Sequence, residues 1–128
     1  MKRVTGIGGV FFKSKDPKAL SAWYKAHLGI DILDWGGAAF QWKGEHNPEG
    51  VGTTVWNAFP ADTKYFGPGP SPFMINYRVA DLHALLAALR VEGVQVEDKV
   101  DESEYGKFGW AFDPDGNKLE LWQPPEGS

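Results

Sequence analysis

The sequence contains no cysteine. Disulfide bonds, thiolate nucleophiles and zinc–thiolate sites are therefore excluded, and the redox state of the compartment cannot be inferred from the chain.

Long apolar runs and clusters of basic residues are also absent. No stretch approaches the roughly 20 apolar residues that cross a bilayer, and the N-terminal MKRVTGIGGVFF has no apolar segment long enough for a signal peptide. The formal net charge is -4, and the lysines and arginines form no run. We therefore expect a cytoplasmic protein that binds neither nucleic acid nor a membrane surface.

Aromatic residues, in contrast, are plentiful. Six Trp, eight Phe and four Tyr make up 14% of the 128 residues. A chain of this length is expected to form one domain with a sizeable core. The rings have two explanations at this point, a core built from large side chains or an aromatic-lined ligand cleft.

Two segments carry the signals of helices with defined ends. DPKALSAWYKAHLG begins with Asp16 as N-cap and ends at Gly29, whereas DLHALLAALRVEG begins with Asp81 and ends at Gly93. The two aspartates are 65 positions apart and the two glycines 64. This spacing indicates an internal repeat.

Turn sequences and strand candidates repeat at nearly the same offset. NPEG at 47–50 and DPDG at 113–116 are 66 positions apart, and so are Trp56 and Trp122 at the ends of TTVW and LELW. We therefore predict an α+β fold, a single domain of two βαβββ modules joined by a Pro/Gly-rich connector. The modules cover about 1–60 and 70–128, and their strands are predicted at 4–14, 30–34, 38–43, 51–58, 72–79, 94–98, 107–113 and 117–122.

Two motifs within this repeat suggest a family. The turn and strand DPDGNKLEL at 113–121 and the helix end AWYKAHLGI at 22–30 resemble the vicinal oxygen chelate superfamily. That group includes glyoxalase I, extradiol dioxygenases and bleomycin resistance proteins, and the resemblance covers about residues 4–123. It implies modules whose sheets curl into a cup with the helices on its outer face. It also makes a homodimer the expected assembly.

Metal-dependent members of this superfamily take their ligands from the first and last strands of each module. The resemblance places Glu120 at the last-strand position of the second module, and Thr54, 66 positions earlier, at that of the first. The first-strand positions, usually His, fall on Gly9 and Met74. Only Glu120 is a good ligand for a hard cation, so we expect no metal and no other cofactor. The loop residue His46 is the alternative partner for a metal on Glu120.

The same resemblance, with strand alternation, predicts which side chains line the cup. Glu120 is the candidate catalytic residue, as a proton-transfer group or as the seat of a cationic or aromatic ligand. An alternative role for Glu120 is an ion pair with Arg78 that holds two strands together. The predicted ligand-binding residues are Phe11, Thr54, Trp56, Met74, Asn76, Arg78, Trp110 and Trp122. The residues expected on the opposite side, under the helices, are Val10, Phe12, Val55, Ile75, Tyr77, Val79, Leu119 and Leu121.

Two glycine-containing segments, GPGPSPF and ESEYGKFGW, are candidates for lids over the cup. Tyr65, Phe66, Tyr105 and Phe108 lie in or beside them, although ordinary surface packing is the simpler expectation for Tyr65 and Phe66.

Three functions remain open, because a fold alone does not assign one. The first is a protein that binds a small organic molecule, aromatic or cationic, in the cup without the usual metal. The second is a glyoxalase- or dioxygenase-type enzyme (a lyase, isomerase or oxygenase) with a divalent metal on Glu120. The third is metal-free proton transfer by Glu120.

Overall fold

The computed structural model describes residues 3–43 and 51–126. Its elements, in chain order, are β1 (Val4–Ser14), α1 (Pro17–Leu28), β2 (Ala38–Trp42), β3 (Gly52–Pro60), β4 (Phe73–Val79), α2 (Leu82–Val91), β5 (Asp101–Ser103), β6 (Gly106–Phe112) and β7 (Lys118–Gln123). Neither helix of this described part has the length and hydrophobicity that a membrane crossing requires.

Both helices begin where their capping signals predict. The Asp16 carboxylate accepts a hydrogen bond from the backbone N–H of Ala19 at 3.1 Å, and the Asp81 carboxylate accepts one from that of Ala84 at 3.1 Å. Each bond satisfies a backbone donor that has no partner inside the helix. Helix α1 ends at Gly29, whose φ of 69° is a left-handed conformation that glycine adopts without strain.

The strands form one open, mixed sheet in the order β2-β3-β1-β4-β7-β6-β5. Within each module the first and last strands are parallel neighbours, β1 beside β3 and β4 beside β7. The modules join edge to edge, because β1 and β4 pair in antiparallel fashion. The predicted α+β fold of two similar modules is therefore confirmed.

Three strand predictions were wrong or incomplete. Residues 30–34 form no strand, because Leu33 and Gly37 close a turn through the hydrogen bond from the N–H of Leu33 to the carbonyl of Gly37. The segment 94–98 runs beside β6 but contributes only an isolated bridge, Val96 to Ala111. The short strand β5 follows it and was not predicted.

The core lies in two clusters on opposite faces of the sheet. Under α2, the buried residues are Val79, Leu82, Leu85, Leu86 and Leu121. On the other face, which we call the cup face, they are Phe11, Phe66, Met74 and Trp110. Strand alternation separates the two sets, because Leu121 and the neighbouring Glu120 point to opposite sides of β7.

Candidate functional site

The cup face is centred on the carboxylate of Glu120, which is only 2% exposed. Register places Glu120 between Asn76 on β4 and Trp110 on β6. The Asn76 amide donates to Oε1 at 2.6 Å, and the Trp110 indole N–H donates to Oε2 at 2.9 Å. The Tyr65 hydroxyl also donates to Oε2. Strands β4 and β6 and the connector thus each supply one donor to the carboxylate on β7.

The three donors offset what burial costs this carboxylate. An ionised group removed from water is stable only when hydrogen bonds replace its hydration, and bonds to a charged acceptor are stronger than those to a neutral one. The effect on Tyr65 is reciprocal. Burial, together with the negative charge of Glu120 and the hydrogen bond to it, raises the pKa of the Tyr65 phenol far above its usual range. Tyr65 therefore remains a neutral donor at physiological pH.

Arg78 is buried two positions along β4 from Asn76, where it pairs with Trp122. Its guanidinium lies 5.9 Å from the centre of the Trp42 ring, and burial lowers its pKa. Within the described residues, the donors to the Glu120 carboxylate are the three neutral groups of Asn76, Trp110 and Tyr65. The Glu120–Arg78 ion pair considered from the sequence is thus not what holds the carboxylate.

Asn76 carries an unusual oxygen. Its Oδ1 is buried and has no hydrogen-bond partner among residues 3–43 and 51–126. A Cβ atom at position 8 would lie 2.2 Å from that oxygen and 2.8 Å from the Trp122 ring. Gly8 therefore provides the space in which Asn76 and Trp122 lie beside each other.

Aromatic rings surround the carboxylate. Tyr65 stacks on Phe59, with centroids 5.8 Å apart and planes within 4°, and meets Trp110 edge-on at 6.3 Å. Phe66, only 2% exposed, contacts Phe59 at 5.1 Å. Phe108 stacks on Trp122 at 6.2 Å. The connector between the modules thus places two rings against the cup. The expectation of surface packing was wrong for Phe66, which is buried, whereas Tyr65 stays 37% exposed and still donates to Glu120.

Thr54 and Trp56 were predicted to face the cup, but they lie on the opposite side of β3. Trp56 pairs with Val10 and contacts Phe12 at 5.1 Å and Tyr24 of α1 at 5.1 Å, so it lies on the helix side. The Thr54 hydroxyl bonds to the Ile7 carbonyl and to the Trp42 indole N–H. The predicted orientation of Val55, which was placed under the helices, was also wrong. It packs against the cup cluster.

These β3 side chains were assigned to the wrong side because the repeat offset used for them was incorrect. Phe11 and Asn76 occupy equivalent positions of β1 and β4, and they pair with Asn57 and Glu120 respectively. Asn57, not Thr54, is therefore the counterpart of Glu120. Asp16 lies 41 positions before Asn57, whereas Asp81 lies 39 positions before Glu120. The first module is two residues longer between helix cap and last strand, so the offset of 66 does not apply to β3.

The donor set does not fit the metal ion that the superfamily implies. The polar groups that contact Glu120 are an amide, an indole and a phenol, and its counterpart in the first module, Asn57, has only a neutral amide. Hard divalent cations favour several oxygen ligands that include more than one carboxylate. No group of three His, Cys, Asp or Glu side chains occurs in the part of the chain that the structure describes. His46 lies outside the described residues.

The structure thus brings together most of the residues predicted to line the cup. Those on the cup face around the carboxylate are Phe11, Met74, Asn76, Trp110, Glu120 and Trp122. The sequence did not identify Phe59 as a wall of the cup or Tyr65 as a donor to Glu120. The only available signal was a pair of aromatic residues, Tyr65 and Phe66, in an otherwise polar and Pro/Gly-rich connector.

A cleft of about 580 Å³ opens beside this centre. Its lining includes the rings of Tyr65, Phe108 and Trp110 and the carboxylates of Asp101 and Glu102. A ligand in this cleft meets the Tyr65 and Trp110 rings, the two groups that share Oε2 of Glu120.

Comparison with known proteins places this arrangement in a family. A sequence model of the Glyoxalase/Bleomycin resistance protein/Dioxygenase superfamily matches residues 6–121. Among solved structures, methylmalonyl-CoA epimerase from Mycobacterium tuberculosis is 20% identical with a TM-score of 0.65, over 98% of this chain and 91% of that one. The Streptomyces coelicolor methylmalonyl-CoA epimerase in complex with 2-nitronate-propionyl-CoA is 18% identical with a TM-score of 0.69, over 94% and 98%.

A protein of different name shares the fold more distantly. The NAD-dependent benzaldehyde dehydrogenase from Legionella pneumophila is 12% identical with a TM-score of 0.57, over 91% of this chain and 98% of that one. None of the curated proteins compared with the chain matches it. At these identities the structural neighbours show the fold alone, whereas the sequence model covers most of the chain. The chain therefore belongs to the Glyoxalase/Bleomycin resistance protein/Dioxygenase superfamily, as its repeat and its DPDGNKLEL motif indicated.

Proposed function

We propose that this protein binds a small aromatic molecule in its cup, without a metal ion on Glu120. The observation that supports this most strongly is a carboxylate that is 2% exposed, surrounded by rings and held by three neutral donors. Small-molecule sites have this composition, an apolar and aromatic wall with a few convergent polar groups that fix the orientation.

Lysines around the rings favour a neutral or anionic ligand over a cationic one. The Lys118 ammonium lies 5.4 Å from the Tyr65 ring and 5.5 Å from the Trp110 ring, and Lys99 lies 5.9 Å from Trp110. A third ammonium, Lys13, lies 5.8 Å from Phe66. Lys99 and Lys118 also pair with Asp101 and Glu97, at 3.7 and 3.4 Å. The preference against a cation therefore rests mainly on the Lys118 ammonium, whose side chain is only 10% exposed. Of the two ligand classes that the sequence suggests, we therefore retain the aromatic one.

Proton transfer is the second candidate. Glu120 and Tyr65 form a hydrogen-bonded pair of a carboxylate and a neutral phenol, which is the pairing that a base and an acid require. The epimerases among the structural neighbours are enzymes by name. Against this role, Oε2 of Glu120 already accepts two hydrogen bonds and Oε1 one, so only one acceptor position, on Oε1, is open to a proton.

Three further expectations stay predictions. They are the cytoplasmic location, the homodimer, and the absence of a metal, to which a glyoxalase- or dioxygenase-type reaction with a metal on Glu120 is the alternative. For the last of these, elemental analysis of untagged protein purified without chelators is the direct measurement. A divalent metal near one per chain would contradict the proposal.

Binding is tested by titrating the protein with toluene, p-cresol, benzoate and benzylamine, which present one ring with no polar group, a hydroxyl, an anion and a cation. We expect saturable binding of a neutral or anionic member. Glu120→Gln should weaken it at least about tenfold, because the ligand loses a charged hydrogen-bond acceptor. Glu104→Gln, which changes an exposed glutamate, is the matched control. Absence of binding throughout the panel would argue against an aromatic site.

The enzymatic candidate has a separate readout. Methylmalonyl-CoA, the molecule named with one structural neighbour, is incubated with the protein in D2O and its deuterium content is followed by mass spectrometry. Incorporation that depends on Glu120 and on Tyr65 would favour proton transfer. Binding without incorporation would favour the first proposal.

A further inference from the structure

Tyr65 lies in what amounts to a complete binding site for a phenol. One face of its ring stacks on Phe59 of β3, its edge meets Trp110 of β6, and the Lys118 ammonium of β7 lies 5.4 Å from its centre. Its hydroxyl donates to Glu120. The ring itself comes from the connector, which belongs to neither module. The walls of the cup thus already hold a phenol, and that phenol is part of the chain.

Tyr65 and its neighbour Phe66 differ in how firmly they are held. Phe66 is 2% exposed and contributes to the cup cluster, whereas Tyr65 is 37% exposed and forms part of the wall of the 580 Å³ cleft. Rotation of the Tyr65 side chain into the cleft would vacate its place without removing Phe66 from the core. Exposed rings change rotamer rapidly compared with the unfolding of a segment.

A ligand ring that takes the place of Tyr65 between Phe59 and Trp110 would donate to Oε2 of Glu120, the oxygen with no acceptor position left. The remaining position is on Oε1, which accepts from Asn76. Oε2 of Glu120 already accepts from Tyr65 and from Trp110, and a carboxylate oxygen offers about two lone pairs. A new donor at Oε2 therefore has to replace one of these two. Trp110 is 3% exposed and fixed in a strand, so Tyr65 is the donor that can leave.

We infer that the ligand of the cup is a hydroxyaromatic molecule that displaces the Tyr65 side chain and donates its hydroxyl to Glu120. This rests on the proposed function and specifies its ligand class. Tyr65 then acts as an internal competitor, which protects a buried carboxylate when no ligand is bound. Apparent affinity is reduced by the small fraction of molecules in which Tyr65 has left its place.

The effect of Tyr65→Phe on ligand affinity distinguishes a Tyr65 side chain that the ligand displaces from one that contacts the bound ligand. Tyr65→Phe keeps the ring but removes its hydrogen bond to a charged acceptor, so the competitor is weakened and the vacated state is more populated. We expect p-cresol to bind Tyr65→Phe about tenfold more tightly than wild type, because hydrogen bonds to charged groups carry roughly that factor. If Tyr65 instead contacts the bound ligand, the same substitution leaves the affinity unchanged or weakens it, which overturns the inference.

The titration is followed by heteronuclear NMR of ¹⁵N-labelled full-length protein at the Trp110 indole N–H, which donates to the same oxygen. Tyr105→Phe, which alters a tyrosine that is 68% exposed, should leave the affinity for p-cresol unchanged. p-Methylanisole, which has no hydroxyl hydrogen, should gain less than p-cresol in Tyr65→Phe. An equal gain for both would show that the hydroxyl is not recognised, and it would overturn the ligand class.

Failure of this inference can be distinguished from failure of the proposed function. A panel molecule that requires Glu120 but binds Tyr65→Phe no better than wild type leaves the proposed function intact and contradicts displacement. Tyr65→Ala, in which the ring is absent, gives the second measurement: p-cresol should bind it more tightly still. If Tyr65→Ala is folded, as judged by its thermal unfolding, and binds p-cresol no better than wild type, displacement is wrong.

Discussion

The two helices of the repeat share their capping but differ in what they bury. Helix α2 packs Leu82, Leu85 and Leu86 against the sheet, all of them less than a tenth exposed. Helix α1 buries a single residue, Ser21, whose hydroxyl donates to the Gly36 carbonyl at 3.2 Å. At the 65-residue offset, Ser21 stands where Leu86 stands in α2. The same backbone pattern thus has an apolar anchor in one module and a polar one in the other.

The last strands differ in a parallel way. Glu120 on β7 organises three donors, whereas its counterpart on β3 is the neutral Asn57. The first module contributes apolar wall to the cup through Phe11, Val55 and Phe59, and the second contributes the charge. The two modules are therefore not equivalent. The second module has both the more apolar helix interface and the buried charge of the cup.

Removal of the apolar anchor should have the largest effect. Leu86→Ala deletes a side chain that is 1% exposed, and we expect it to lower the free energy of unfolding by about 2–5 kcal/mol. Ser21→Ala at the equivalent position should lower it by about 1 kcal/mol or less, because only one hydrogen bond is lost. Urea denaturation followed by tryptophan fluorescence measures both. Equal losses would show that α1 and α2 anchor their modules to the same extent.

A smaller effect is expected from the polar centre. Trp110→Phe keeps an aromatic ring but removes a donor to the buried carboxylate, and we expect a loss of about 1.5–3 kcal/mol in the free energy of unfolding.

Trp56→Phe is the matched change in the first module. In the part of the chain that the structure describes, the Trp56 indole makes ring contacts with Phe12 and Tyr24 but no hydrogen bond. Trp56→Phe should therefore lower the free energy of unfolding by no more than about 1 kcal/mol. A larger loss in Trp56→Phe than in Trp110→Phe would mean that the helix side, rather than the carboxylate, dominates the stability of the sheet.

The features that could be predicted from the sequence also differ between the two modules. Helix starts were predictable because capping by Asp16 and Asp81 is local. The place of Glu120 in the cup was predictable from the family resemblance carried by DPDGNKLEL, together with strand alternation. The side of the sheet that each β3 side chain faces was not predictable. An offset wrong by three residues, an odd number, reverses the face of every side chain in a strand, and this placed Thr54 and Trp56 on the wrong side.

The contribution of the connector could not be predicted for a different reason. Nothing local directs Tyr65 to Glu120, because the contact spans 55 positions and depends on Phe66 being buried against Phe59. Turn residues predicted a surface loop, and the backbone of the connector does contain turns, such as the one closed by the N–H of Gly67 and the Lys64 carbonyl. The two rings are determined by tertiary packing instead, which overrides what turn composition suggests.

The smallest predicted effect concerns the pH dependence of that contact. The pKa of Tyr65 is raised by burial and by the charge of Glu120, so the folded chain retains the phenol proton at a pH where the unfolded chain, with a tyrosine pKa near 10, releases it. The folded state then binds more protons, and stability must fall as the pH rises above about 10.

In wild type this fall should be steeper than in Tyr65→Phe, and Tyr105→Phe should follow wild type. Because Tyr65 is partly exposed, the difference should correspond to less than one full proton per chain. Urea midpoints measured between pH 8.5 and about 11.5 give the slopes, and identical slopes in wild type and Tyr65→Phe would show that the phenol is not linked to the charge of the second module.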